Sequence, residues 1–291
     1  MKMSPYTLGL VLIFVSTVLL STAGLMTRLV AMDTASILFW RGVWGGGAVL
    51  LLMAVRSPRQ AWRDFRSLGA PGWTIALITT ASMTLFIAAL HNTSVAHVAI
   101  IFATAPLIAA ALGFLFLKER AGMGALIASL AALAGVMLMV GTGAGGGLLG
   151  DAFALLMTLF VVINTLLARR FPQMPMLAIS VVSAFLGTLV AAPFASPFAW
   201  PAAEIAIVAL FGIFGFAAGL ALLLIGARLL PPVETSLIGA LDAPLAPFWV
   251  WLVIGEWMDT MTLIGGSLVM AAVFAHVLAD FRGRRRVASA S

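Results

Sequence analysis

Ten apolar runs follow one another along the chain, at 6–30, 36–55, 72–92, 96–117, 122–141, 149–168, 175–195, 203–227, 235–254 and 261–279. A bilayer core takes about 20 apolar residues in helical conformation. Each run is continuous and lacks the roughly 10-residue alternation of an outer-membrane barrel strand. The pattern therefore predicts an all-α integral membrane protein with ten transmembrane helices. The gaps between runs are too short for a soluble domain, so any function sits inside the bundle. Ser21-Thr22-Ala23 resembles a signal-peptide cleavage site. The first run is nevertheless too long for such a leader, has only Lys2 before it and recurs later in the chain, so it is read as a retained helix.

The chain echoes itself. Ala105-Pro106-Leu107 returns as Ala243-Pro244-Leu245; Glu119 follows the first motif and Glu256 the second; Leu126-Ile127 returns as Leu263-Ile264. Upstream, Gly9, Thr17 and Arg28 match Gly150, Thr158 and Arg169. This predicts two five-helix halves, 1–141 and 151–291, joined by a glycine-rich linker at 142–150. Five is odd, so the second half enters the membrane from the opposite side. Inverted repeats of this kind build secondary transporters, with the substrate near the midplane between the halves.

Charge fixes the orientation. With the N-terminus in the cytoplasm, 14 of the 16 Lys and Arg residues fall on the cytoplasmic side, as the positive-inside rule requires. Both termini are then cytoplasmic, and the chain is a multi-pass protein of a bacterial cytoplasmic (inner) membrane. The basic tail at 282–286 reads first as a topology anchor and second as a contact for anionic lipid. Composition agrees: 63% of residues are hydrophobic, 9% are charged and none is cysteine. That excludes a soluble enzyme, a disulfide scaffold and a disordered chain. The net charge of +6 does not indicate nucleic acid, because the basic residues sit in the gaps between spans.

Few residues inside the spans carry chemistry. Asp242 lies within the ninth run, where a charge costs about 2.5–3.5 kcal/mol on insertion scales. It reads as a cavity carboxylate for a substrate ammonium or a proton, or as one half of an ion pair with a residue such as Arg41. Arg41 reads as a structural or snorkelling charge, or as a clamp for a substrate carboxylate. Pro106 and Pro244 free backbone groups deep in their spans and are candidates for gating hinges; Thr104 is the repeat counterpart of Asp242. Ser82, Thr158 and Asn164 are interhelical glue or cavity wall. Trp40, Phe86, Phe102, Phe216, Trp249 and Trp251 are the deeper aromatics able to line an apolar pocket, while Trp62, Trp73, Trp200 and Trp257 read as an interfacial belt. Gly42-xxx-Gly46 and Gly215-xxx-Gly219 read as close helix packing. No catalytic, metal or nucleotide motif is present, so no enzyme and no cofactor is expected. An intramembrane enzyme remains the alternative class, but Asp242 has no second aspartate at depth to make a dyad.

The segment ATAPLIAAALGFLFLKE at 103–119, echoed by LDAPLAPFWVWLVIGE at 241–256, resembles the paired motifs of EamA-type proteins of the drug/metabolite transporter superfamily. Arg41, in Phe39-Trp40-Arg41-Gly42, is similar to an arginine often found in their second span. On overall similarity the chain is most like the YddG-type aromatic amino-acid exporters. Asp242 departs from the pattern, since many relatives place an acid directly before the proline. The resemblance implies a carrier that exports amino acids, aromatic and other large neutral ones first, by alternating access. Nucleobases, sugar derivatives and drugs are the alternative solutes. The implied partners are a small-molecule substrate and the lipid bilayer. The fifth and tenth spans are peripheral in this arrangement and are candidates for a homodimer contact.

Overall fold

The computed structural model describes residues 4–93, 95–140, 147–255, 257–258 and 260–290. Each predicted run coincides with a helix, and no strand occurs among the described residues. The helices are α1 (Pro5–Leu20 continued by Ala23–Leu29), α2 (Thr34–Arg56), α3 (Pro58–Arg66), α4 (Gly69–Asn92) and α5 (Val95–Phe102 continued by Ala105–Leu112 and a π-helical turn, Gly113–Leu117). They are followed by α6 (Met123–Val140), α7 (Leu148–Arg170), α8 (Met176–Ala191), α9 (Ala202–Leu210 continued by a π-helical turn, Phe211–Ala217, and by Ala218–Ala227), α10 (Pro232–Gly239 continued by Asp242–Ile254) and α11 (Thr260–Ala290). Among the described residues, eight helices are long and apolar enough to cross a bilayer; Met123–Met139 is apolar and shorter.

The sequence sets the helix ends. Ser4 caps α1 through its hydroxyl, with Pro5 in the first turn; Asp33 caps α2 by accepting from Ser36 N–H; Ser57 caps α3, again with a proline behind it. These are the residues and positions that satisfy the otherwise unbonded N–H groups of a first turn. At the other end, Lys118 closes α5 and Gly255 closes α10, both in the left-handed conformation with φ of 57° and 78°. They precede Glu119 and Glu256 at matching places in the two halves, so the repeat seen in sequence is also a repeat of backbone conformation. Glu256 itself lies outside the described residues.

Pairing follows the same exchange of halves. α6 packs on α11, α2 on α8 and α5 on α10, while α1 packs on α9 and α4 on α7. Swapping first-half helices for their second-half counterparts returns the same set of pairs. Small residues permit the close crossings. A Cβ on Gly42 would sit 2.2 Å from Thr188 Oγ1 on α8, and one on Gly135 would sit 2.7 Å from the carbonyl oxygen of Gly265 on α11. Gly219 passes Leu20 in the same way, and Ser16 Oγ donates to its carbonyl at 2.7 Å. Both glycine pairs singled out in the sequence therefore lie at packing surfaces.

Three features differ from the sequence expectation. The gap after α2 holds the short helix α3, whose Ala61 is buried while Trp62 is exposed. α1 is broken at Ser21-Thr22 rather than continuous. The prolines in α5 and α10 follow short tightened turns rather than smooth kinks. Just ahead of Pro106 and Pro244 the backbone stays right-handed, but the N–H groups of Thr104 and Leu241 donate to the carbonyls of Ile101 and Ile238, three residues back. A proline two residues into the following segment lacks the N–H that would continue the ladder, and its ring crowds the preceding turn.

Candidate functional site

Arg41 sits on α2 about two turns from the helix start. Its guanidinium carbon lies 4.0 Å from the centroid of the Phe216 ring, and its Nη2 faces Met83 Sδ at 3.9 Å. Nε is buried and makes no hydrogen bond. The stacking partner comes from the π-helical turn of α9, which brings Gly212 against the Arg41 backbone: a Cβ there would lie 2.9 Å from the Arg41 carbonyl oxygen. A cation over a ring face gains about 0.5–2 kcal/mol, less than a charge loses on entering the membrane. Among the described residues, no carboxylate pairs with Arg41.

Asp242 is the first residue after the break in α10, near the middle of its span. It is half-buried and has no hydrogen-bond or ion-pair partner among the described residues. The ion pair with Arg41 considered from the sequence is not formed. The break in α1 lies between the surroundings of the two charges. On one side, a Cβ on Gly215, next to Phe216, would sit 3.1 Å from Thr22 Oγ1. On the other, Trp249 Nε1 donates to Ser21 Oγ at 2.8 Å, and Gly24 faces Ala246. Ser21, Thr22 and Met83 thus join the neighbourhood. Their sequence signal was weak: two small hydroxyls in an apolar run and one methionine among 15.

The other predicted residues are distributed as follows. Thr104 is in the break of α5 and donates to the Ile101 carbonyl at 2.6 Å; Pro106 is buried behind it. Pro244 is buried, and a Cβ on Gly266 of α11 would lie 3.2 Å from it. Phe102 packs against the buried cluster of Ala89, Val98, Ala154 and Met157. Thr158 and Ser82 are buried and bond to carbonyls of their own helices, Ala154 at 2.8 Å and Thr79 at 2.8 Å. Asn164 Nδ2 donates to Thr79 Oγ1, tying α7 to α4. Phe86 is exposed. Trp40 points to the end of the bundle, donating to the Pro197 carbonyl at 2.9 Å among Phe39, Trp44 and Phe198.

An open cavity of about 460 Å³ lies not beside Arg41 but at the end of the bundle that carries Lys118, Arg169 and Arg228. Its polar lining is Glu119, Arg120, Arg169, Glu234, His276 and Asp280. Glu119 Oε1 and Arg169 Nε pair at 3.2 Å across the two halves, and Arg169 Nη1 donates to the Arg228 carbonyl at 3.2 Å. Tyr6 O–H donates to Asp280 at 2.6 Å, joining α1 to α11. The opposite end is pinned. His97 Nδ1 lies 3.1 Å from Asp151, Thr93 Oγ1 donates to Asp151 at 2.7 Å, and the Ala31 N–H donates to Glu204 at 3.0 Å. All three contacts join one half to the other. Among the described residues, no group of three or more His, Asp or Glu could hold a metal ion.

Comparison with known proteins agrees with this architecture. One solved crystal structure of another protein superposes with a TM-score of 0.79 over 94% of this chain and 98% of that one, at 18% identity. That likeness is one of fold. No curated protein matches the chain. The sequence model of the EamA-like transporter family matches twice, over residues 7–141 and 148–278, once in each half. Two copies spanning almost the whole sequence, each with the same broken helix and left-handed cap, make this chain a member of the EamA-like transporter family, within the drug/metabolite transporter superfamily.

Proposed function

We propose that the protein is a ten-span secondary transporter of a bacterial cytoplasmic membrane, with both termini in the cytoplasm, that exports amino acids by alternating access. Aromatic and other large neutral amino acids are the preferred substrates. The single observation that carries the substrate class is the pair Arg41 and Asp242: opposite charges within membrane spans, neither neutralised, among the described residues, by the other or by a third side chain. Breaking a buried ion pair leaves a charge uncompensated, and the reverse holds here. A zwitterion that offers its carboxylate to Arg41 and its ammonium to Asp242 satisfies both. Phe216 and Trp249 give the rest of the site the apolar ring surfaces that suit an aromatic side chain.

The two halves, 1–141 and 151–291 with the linker 142–150 between them, act as inverted repeats. Support comes from helix pairing that is unchanged when the halves are exchanged, together with the five apolar runs in each. The polar cavity at the basic end is the cytoplasmic vestibule, and the His97–Asp151 contact belongs to the closed outer face. Transport then breaks the outer contacts while the cytoplasmic ones tighten.

The test is time-resolved uptake and counterflow by purified protein in liposomes, with aromatic, aliphatic, acidic and basic amino acids, with and without a pH gradient. Saturable movement of aromatic and large neutral amino acids is expected. Movement no faster than in empty liposomes, from protein shown to be folded, overturns the amino-acid assignment.

A further inference from the structure

The short helix α3 carries a charge pattern that the transport route does not use. Ser57, with extended backbone, ends α2 and caps α3 through its hydroxyl. One side of α3 is held by the bundle. Ala61 is buried, and Phe65, one turn on, packs against the main core cluster. The other positions follow from helical periodicity. Successive residues are about 100° apart around the axis, so Arg59, Arg63 and Arg66 fall within an arc of about 60°, on the side away from Ala61 and Phe65. Trp62 lies on one flank of this stripe; Gln60 and Asp64 lie on the other. The three arginines and Trp62 are all exposed, the tryptophan by 65%. Among the described residues, none of the three arginines has an ion pair. Asp64 is the one acid in the helix, and it accepts from Gln60 Nε2 at 2.7 Å. Arg56, the last residue of α2, is a fourth exposed cation.

The place of α3 in the bundle gives the stripe its surroundings. α2 is long and apolar enough to cross a bilayer between Thr34 and Arg56, so α3 starts at the membrane surface, packed on α2 and α8. An indole at that depth prefers the boundary between headgroups and acyl chains. With Trp62 on the bilayer flank and Gln60 and Asp64 on the water flank, the arginine stripe lies level with the lipid phosphates, as in other helices that lie along an interface. A guanidinium bonds a phosphate through two parallel N–H groups. Three of them on one face, with no competing carboxylate, favour an anionic lipid over a zwitterionic one, whose own cation screens its phosphate. A topology anchor needs only the count of basic residues in the gap. It does not need them aligned on one face with the acid placed elsewhere.

We infer that the face of α3 formed by Arg59, Arg63 and Arg66 binds the headgroups of anionic phospholipids in the adjoining leaflet, with Trp62 seated beside them at the acyl boundary. The bound lipid holds the basic end of α2, the helix that carries Arg41. The inference does not depend on which solute is carried.

The experiment is native mass spectrometry of the full chain, released from vesicles that hold equal amounts of phosphatidylglycerol and phosphatidylcholine with the same acyl chains. The unaltered protein is expected to retain phosphatidylglycerol over phosphatidylcholine by about tenfold or more, as several basic residues at a headgroup imply. Replacing Arg59, Arg63 and Arg66 with Gln lowers that preference by about tenfold. Arg63→Gln alone, one turn from both neighbours, lowers it by about threefold and serves should the triple variant fold poorly. Replacing Arg284, Arg285 and Arg286 with Gln removes the same charge elsewhere in the chain and leaves the preference within about twofold. Equal retention of the two lipids by the unaltered protein overturns the inference. So does an undiminished preference in the folded α3 variants. A tail variant that loses as much as the α3 variant overturns it too, since net charge rather than the aligned face would then select the lipid.

Discussion

Arg41 and Asp242 are the residues on which the proposed chemistry turns. Arg41→Met and Asp242→Asn each remove one charge-assisted contact to a zwitterion, of about 1.5–3 kcal/mol. Each variant is therefore expected to lower the initial rate of amino-acid counterflow by roughly tenfold or more, with a yield and thermal midpoint no lower than those of the unaltered protein. A loss of folded protein with normal specific activity would assign the charges to structure instead. A purely structural charge is expected at Asp33, outside the spans. Partial burial alone would raise its pKa, but hydrogen bonds from the Ser36 O–H and N–H outweigh this and hold the carboxyl below its ordinary value. A group depressed in the folded state contributes stability that is complete above its unfolded pKa and is lost as pH falls through the folded one. Asp33→Ala is thus expected to cost about 1 kcal/mol near neutral pH. The difference in melting temperature from the unaltered protein should close as pH drops below the carboxylate range; a gap that persists at low pH would contradict this. Both in-span charges were legible in the sequence because ionised groups are rare in apolar runs. Ser21, which receives the Trp249 indole, was not, because small hydroxyls usually bond within their own helix and only the fold brings Trp249 to it.

The broken helices are the elements that position the site. Pro106 and Pro244 stood out in the sequence as a repeated pair, and in the structure each follows a tightened turn in which the ordinary four-residue hydrogen bonding lapses. Pro244→Ala restores the missing N–H and should straighten α10 past Asp242. The expectation is slower counterflow with equal or higher stability; unchanged counterflow would remove the break from the mechanism. Lys118 offers a cleaner element-level test. Its φ of 57° is natural for glycine, which occupies the equivalent cap at Gly255. Lys118→Gly relieves a left-handed conformation and is expected to stabilise by about 0.5–1 kcal/mol, read as a higher melting temperature. A fall would show that the lysine side chain contributes more than the strain removes. Two elements were not legible. The short helix α3 lies in a polar gap too brief to register beside ten long runs. The π-helical turn of α9, which delivers Phe216 to Arg41, has no compositional signature: its residues read as ordinary apolar helix.

At the scale of the whole molecule, the two matched halves and the exchange symmetry of helix pairing follow from one repeated pattern. Hydrophobic period and length were enough to predict the helices. Which helices touch was not readable, since apolar surfaces in a membrane are interchangeable and small residues such as Gly135 and Gly265 decide the crossings only in three dimensions. The polar cavity at the basic end was equally hidden, because Glu119, Glu234, His276 and Asp280 are scattered over the sequence and converge only when the halves pack. The proposed cycle has this bundle carry a zwitterion between two complementary charges. The most direct test is counterflow of radiolabelled L-phenylalanine in proteoliposomes, driven by internal phenylalanine, by phenylethylamine without the carboxylate, or by phenylpropionate without the ammonium. Saturable counterflow is expected with phenylalanine and little with either analogue. Equal exchange with an analogue, or no exchange with phenylalanine from folded protein, would contradict it.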